Sequence, residues 1–318
     1  MQLNKPLKVK VERLKNNPII TPHMDDRMGE NINGPSLIET PEWLPNRLGK
    51  FYLYFGHHDG RYIRLAYSDV LEGPWQIYSP GTLQLEESHF SGHIASPDVH
   101  VDDDRKQIRM YFHGSDTRSG HGGEQFTRAA FSDDGLKFQA LPEELGNPYM
   151  RVVEHKGASY GVAMPNTLYR SVDGITDFEK GLDLGPADSR HCALMALDDQ
   201  LIIAYTVIGE APERIYISMI DTAEDWRYWS LGDAQEILRP EVEWEGSTAP
   251  KLPSKRGLIE SKTNQLRDPS FFNHNDMLYM LYAVAGETGI AISKLISSDF
   301  VSRILLKPSG HSLPLKFT

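Results

Sequence analysis

Cysteine is all but missing from this 318-residue sequence: Cys192 stands alone, so no intramolecular disulfide can form and a cysteine-based zinc site is excluded. Basic runs are missing too. The 33 lysines and arginines are outnumbered by 44 acidic residues, for a net charge of -11, and nowhere do they cluster into a surface for phosphates. Nucleic acid is therefore not an expected partner. No apolar run approaches the ~20 residues of a membrane span; the longest candidate, Leu201 to Ile208, already contains Tyr205 and Thr206. Met1 to Asn17 alternates lysines with single apolar residues and lacks the continuous apolar stretch of a signal peptide, which makes the cytoplasm the expected compartment. Linkers, low-complexity tracts and long helical periodicities are also lacking, so one domain over residues 1–318 is expected. The 26 glycines and 20 prolines are scattered as turn punctuation.

What the sequence has is strands. Phe51-Tyr52-Leu53-Tyr54-Phe55 is followed, after a turn at Asp59-Gly60, by Tyr62 to Tyr67, then Ser68-Asp69 and Gly73-Pro74-Trp75. Aromatic and β-branched enrichment around Asp-Gly is a hairpin signature. The same grammar returns in Ile108–His113 with Thr127–Phe131 and Asp134-Gly135. It returns again in Leu168–Ser171 with Asp173-Gly174, in Leu201–Tyr205 with Ile215–Ser218, and in Met277–Tyr282 with Gly289–Ser293. The copy between Tyr149 and Asp183 is the most degenerate.

Five degenerate copies of a four-strand unit predict an all-β, five-bladed β-propeller with four-stranded antiparallel blades, since a sandwich would not repeat one ordered motif. The landmarks Pro35 and Pro97 lie 62 residues apart, and the 172 residues from Pro97 to Pro269 hold three further steps of about 57. Such long blades leave room for functional loops; the Gly-rich Thr117 to Gln125 is placed to close one end of the channel.

Innermost propeller strands converge on a central channel, and the residues that open each unit here are polar. They are Asn31, Asn33 and Gly34; His93, Ser96 and Asp98; Tyr149 and Arg151; Asp188, Arg190 and His191; and Glu260, Asn264, Arg267 and Asp268. Asn33-Gly34-Pro35-Ser36, Ser96-Pro97-Asp98-Val99 and Arg267-Asp268-Pro269-Ser270 resemble the blade openings of the five-bladed glycosidase superfamily. That group embraces arabinanase/xylosidase-like, invertase-like, neoagarobiose hydrolase-like and mannoside phosphorylase-like families. The resemblance implies a carbohydrate substrate and a set of carboxylates around the channel. Acetal cleavage needs a proton for the leaving oxygen and negative charge opposite the oxocarbenium ion, with carboxyls about 5–5.5 Å apart for retention and about 6.5–9.5 Å for inversion.

On that resemblance Asp98 matches a second-blade aspartate and Asp268 is expected at the equivalent place in the fifth. Asn33 stands where many relatives carry an aspartate, and Glu154, beside a Lys-Gly turn, is a poor third acid. Glu260, Glu287 and His191 are candidates to complete the set, His191 because imidazole titrates near neutral pH. The catalytic candidates are then Asp98, Asp268, Glu260 and His191; the substrate-binding candidates are Asn33, Trp43, His93, His113, Arg190, Arg267 and Glu287. Arg190 and Arg267 could hold a substrate carboxylate, sulfate or phosphate, which would favour an acidic sugar or phosphorolysis; Asn33 in place of an acid would suit a non-catalytic sugar-binding propeller. No cofactor is required. Asp102-Asp103-Asp104 resembles a calcium run but lacks the loop that would follow, so a hairpin turn is expected. His57, His58, His93, His100, His113 and His121 have no metal-site helix spacing, although a divalent cation such as calcium remains compatible. Oligomeric state is not legible.

Overall fold

The computed structural model describes residues 7–117, 124–259 and 261–297. Glu260 and most of the Thr117–Gln125 loop lie outside the described residues. After a short first strand, β1 (Lys10–Arg13), the chain makes five sheets in succession. The first blade holds β2 (Asn33–Glu39), β3 (Phe51–Gly56), β4 (Tyr62–Ser68) and β5 (Gln76–Ile77), with β6 (Leu83–Gln84) also pairing β4. The second holds β7 (His93–Asp102), β8 (Gln107–Ser115), β9 (Gln125–Ser132) and β10 (Gln139–Ala140). The third comprises β11 (Arg151–His155), β12 (Ala158–Ala163), β13 (Thr167–Ser171) and β14 (Glu179–Asp183). The fourth comprises β15 (Ser189–Leu197), β16 (Gln200–Val207), β17 (Ile215–Asp221) and β18 (Gln235–Leu238). The fifth contains β19 (Arg267–His274), β20 (Met277–Ala283) and β21 (Ile290–Ile296), and its outer strand is β1. The architecture is the expected five-bladed β-propeller.

Pairing of β1 with β21, Lys10 opposite Ile296 through Arg13 opposite Ser293, joins the two ends of the ring. A clamp reinforces it. Arg13 donates Nε to Glu245 Oε1 at 2.7 Å and Nη2 to Oε2 at 3.0 Å, and Tyr282 Oη donates to the same carboxylate at 3.0 Å. Glu245 is fully buried.

Blade-to-blade packing follows from the aromatic and β-branched strands read in the sequence. Because side chains alternate across a strand, each sheet offers an apolar face to both neighbours. Leu53 and Phe55 meet Leu281 and Ile292 between blades five and one; Tyr54 and Ile63 meet Met110 and Phe112 between one and two. The smallest such cluster, Tyr111, Met150, Val152 and Tyr169 among its members, joins blades two and three. That join is supplemented by polar bonds: Val152 N donates to Asp98 Oδ2 at 2.8 Å, and Arg151 Nη1 donates to Pro97 O.

Candidate functional site

Side chains of a flat innermost strand point toward neighbouring blades, not the axis, so a site on the axis needs bent strands. Four of the five inner strands have a bulge at one level. The register skips between Asn33 and Ser36, between Ala95 and Asp98, between Ser189 and Cys192, and between Arg267 and Ser270. In three of them the extra residue precedes a proline and has positive φ: Gly34 at 58°, Ser96 at 47° and Asp268 at 50°. The bulges interlock. Gly34 N donates to Asp268 Oδ2 at 3.1 Å, and a Cβ on Gly34 would meet Ser96 Cα at 2.7 Å.

This register corrects two expectations. Asp268 is the counterpart of Ser96 and Gly34, while Asp98 corresponds to Ser36 and Ser270; the two aspartates are not equivalent. The first-blade position matching Asp268 is Gly34, one residue past Asn33, and it has no room for any side chain. Asp98 and Asp268 do not converge on shared partners either. Asp98 accepts from Val152 N at 2.8 Å, lies 2.8 Å from His100 Nε2 and 3.5 Å from Arg151 Nη1, and faces a cavity of about 300 Å³ in the lower half of the channel. Burial pushes its pKa up, but His100, Arg151 and the Val152 N–H outweigh it and hold the carboxyl below its usual range. Arg151 also donates to Pro35 O at 3.4 Å and Cys192 O at 3.2 Å, so one guanidinium from blade three reaches blades one, two and four.

Asp268 is fully buried and contacts His191 Nδ1 through Oδ1. The pair forms because the bulges of β15 and β19 are neighbours. Burial, and then Arg190, push His191 down toward the neutral ring. Above the pair runs a line of charges. Arg190 Nε donates to Glu213 Oε1 at 2.8 Å; Arg267 Nε lies 3.3 Å from Glu213 Oε2, and its Nη1 donates to Glu287 Oε1 at 3.0 Å. Glu287 accepts from Asn31 Nδ2 at 2.6 Å and lies 3.3 Å from His58 Nδ1. Burial raises the Glu287 pKa, yet His58, Arg267 and Asn31 overcome it and keep the carboxylate ionised. Both arginines are thus matched by glutamates, and neither guanidinium stands as an uncompensated clamp for an anion.

His93, His113, Tyr149 and His191 form a column of rings beside this line, with His113 and His191 on either side of Tyr149 at centroid distances of 3.8 and 3.7 Å. Trp43 is elsewhere. It lies in the β2–β3 loop, at the opposite end of the blade, and donates Nε1 to Asp103 Oδ1 at 2.7 Å in the β7–β8 turn. Tyr54 is core, and its Oη donates to Gly135 O at 2.8 Å. Asp102 to Asp104 form the expected hairpin turn, Asp102 accepting from Arg105 N at 3.0 Å. Among the described residues no group of three or more His, Cys, Asp or Glu is arranged to hold a metal ion.

Glu213 and His58 were not named as catalytic or substrate-binding residues from the sequence. Their signal is the repeat itself: in an antiparallel blade the loop from second to third strand returns to the end where the first strand begins. Glu213 precedes β17, Glu287 precedes β21 and His58 precedes β4, all in that loop.

Comparison with known proteins adds the following. Uncharacterized protein R118 of Acanthamoeba polyphaga mimivirus is 36% identical over 299 residues, covering 83% of each chain. No protein-family model matches the chain. Among solved structures, a glycosyl hydrolase from Bacteroides ovatus aligns with TM-score 0.63 at 12% identity, over 90% of this chain and 93% of that one. A GH43_1 enzyme from Xanthomonas citri complexed with xylotriose gives 0.59 at 12% identity, over 90% and 95%. A structure from the GH130 family of mannoside phosphorylases, described as containing glycoside hydrolases that target β-1,2 mannosidic linkages in Candida mannan, gives 0.64 at 11%, over 93% and 96%. At these identities what is shared is the five-bladed fold.

Proposed function

The chain belongs to the family of the mimivirus protein R118, and we propose that it is a glycoside hydrolase that admits an oligosaccharide end to the upper mouth of the channel. The observation that carries this reading is the buried Asp268–His191 pair, set by two adjacent bulges at the centre of a propeller. If His191 donates Nδ1–H to Asp268, the lone pair of the neutral ring is on Nε2. Nε2 then takes a proton from the water that attacks the anomeric carbon, as the glycosidic C–O bond breaks and the leaving oxygen gains a proton. Glu287, held ionised, is unsuited to supply that proton. We assign it to Glu260, the remaining acidic candidate of the fifth opening. Asp98 acts as a positioning residue that fixes Arg151 and Val152. The names of the structural neighbours, glycoside hydrolases among them, support the same reading.

The test is sugar release from xylo-, arabino- and β-1,2-manno-oligosaccharides with and without phosphate. Phosphate-independent hydrolysis is expected, with kcat about 10²–10⁴-fold lower in Asp268→Asn, His191→Ala and Glu260→Gln. A sugar phosphate formed only with phosphate present would replace hydrolysis by phosphorolysis, a reading that the internal pairing of Arg190 and Arg267 disfavours. Silence on every substrate would leave a carbohydrate-binding propeller.

A further inference from the structure

Beside the Asp268–His191 pair, five buried polar atoms have no hydrogen-bond partner: both ring nitrogens of His113, His93 Nε2, Asn33 Oδ1 and Ser96 Oγ. Their residues are 1%, 1%, 1% and 4% exposed. They occupy one wedge between blades one and two. The rings of His93 and His113 are 5.7 Å apart, and a Cβ on Gly56 would sit 3.1 Å from Asn33 Oδ1 and 3.2 Å from Ser96 N. An unmet buried donor or acceptor costs about 1–3 kcal/mol. Five together demand an occupant that hydrogen-bonds.

The chemistry of that occupant can be read from the atoms. Ser115 Oγ donates to Thr117 O, so its 3.1 Å contact with His93 Nδ1 must be a bond donated by the imidazole. His93 Nε2 is then a bare acceptor, as is Asn33 Oδ1. His113 is kept neutral by burial, with His93, His58 and Arg151 adding to the effect, so it offers one donor and one acceptor. Ser96 adds a hydroxyl. Three acceptors and two donors disfavour a carboxylate, which brings acceptors only, and match groups that both donate and accept.

We propose that this wedge is a recognition subsite for the hydroxyl groups of a neutral sugar; it rests on the glycoside hydrolase reading of the same channel.

Thermal shift with xylose, arabinose and mannose against glucuronate and galacturonate tests it. At least one neutral sugar should raise the melting temperature, with each uronate about tenfold weaker or silent. His113→Leu should abolish the sugar-dependent rise while melting no lower than the parent without sugar, because it removes two unmet polar atoms and keeps an apolar filling. Asn33→Ala provides the same readout should His113→Leu fail to fold. If ordered water alone satisfies these atoms, no sugar shifts the melt and His113→Leu melts lower; that result, or preferential binding of a uronate, overturns the proposal. Neutral-sugar binding lost in His113→Leu, with no turnover of any oligosaccharide, supports the subsite and removes the hydrolase reading. Turnover and sugar binding that survive His113→Leu and Asn33→Ala unchanged do the reverse.

Discussion

Replacing Gly34 by alanine isolates the device that positions Asp268. At φ 58°, Gly34 is in the left-handed region, where an L side chain costs about 1–2 kcal/mol. The new Cβ would also lie 2.7 Å from Ser96 Cα and 2.8 Å from Ser96 Oγ. The hydroxyl can rotate away, but the Cα cannot, since Ser96 is fixed by its own bulge. Relieving an overlap of this kind costs about 1–3 kcal/mol, so Gly34→Ala should lose about 2–5 kcal/mol in all. At roughly 2 °C per kcal/mol for a chain of this size, the melting temperature should fall by about 4–10 °C. The control is Gly157→Ala: φ is 76° there, yet a Cβ meets nothing within 4 Å, so only the backbone part applies. Denaturant titration of both variants separates the two terms. Equal losses in the two would refute the interlock of the bulges.

Glu245→Ala should cost about 1–3 kcal/mol, because it removes the buried acceptor shared by Arg13 and Tyr282 while Glu241 still pairs Arg13; an unchanged denaturation midpoint would show that strand pairing alone closes the ring. Glu213→Gln should destabilise by a similar amount by leaving Arg190 and Arg267 short of a charge, and adding Arg190→Met should restore part of it in a double-mutant cycle. Stability should also fall as pH drops from about 6.5 to 4. In the folded protein His57 is pushed down to about 4 by burial and Arg64, and His113, faced by His93, His58, Arg151 and Tyr149, is pushed down well below its ordinary value. An unfolded histidine takes its proton near 6.5, so the unfolded state binds more protons throughout this window. His191 is lowered in the same way, so unfolding near pH 5 should take up at least three protons, and a flat stability profile from pH 7 to 5 would refute the burial argument.

The blades were legible because their second and third strands are apolar on both faces and recur in order; Phe51–Phe55 and Met277–Tyr282 fall inside β3 and β20. The closing strand was not, since Lys10–Arg13 exposes alternate side chains and is too short and polar to read as a strand. The polar openings fall on the bulge belt, where Asp268 contacts His191 and Arg190 and Arg267 share Glu213. The supposed equivalence of Asp98 and Asp268 failed for a local reason. One lies before its proline and the other after, and across a bulge that two-residue offset decides whether a carboxylate meets the site or the lower cavity. Glu213 escaped notice because Ala211-Pro212-Glu213-Arg214 has the look of an exposed turn; only the ring brings it between two arginines.

Chemistry in this channel is therefore written in backbone irregularity before it is written in residue type. A straight innermost strand presents its unpaired N–H and C=O edge to the axis and sends its side chains into the blade interfaces. A bulge inserts one residue and re-aims it. The level shared by four bulges is set by the register skips, and the residue at each then decides what it supplies. Gly34 gives an N–H, Ser96 a hydroxyl, Asp268 a carboxylate, and Arg190-His191 a cation and an imidazole. The fifth inner strand, β11, pairs with β12 in unbroken register from Arg151 to His155, so it has no re-aimed residue to contribute. It enters with the one side chain long enough to cross to three other blades, which explains why Arg151 sits at the point where the bulge is missing.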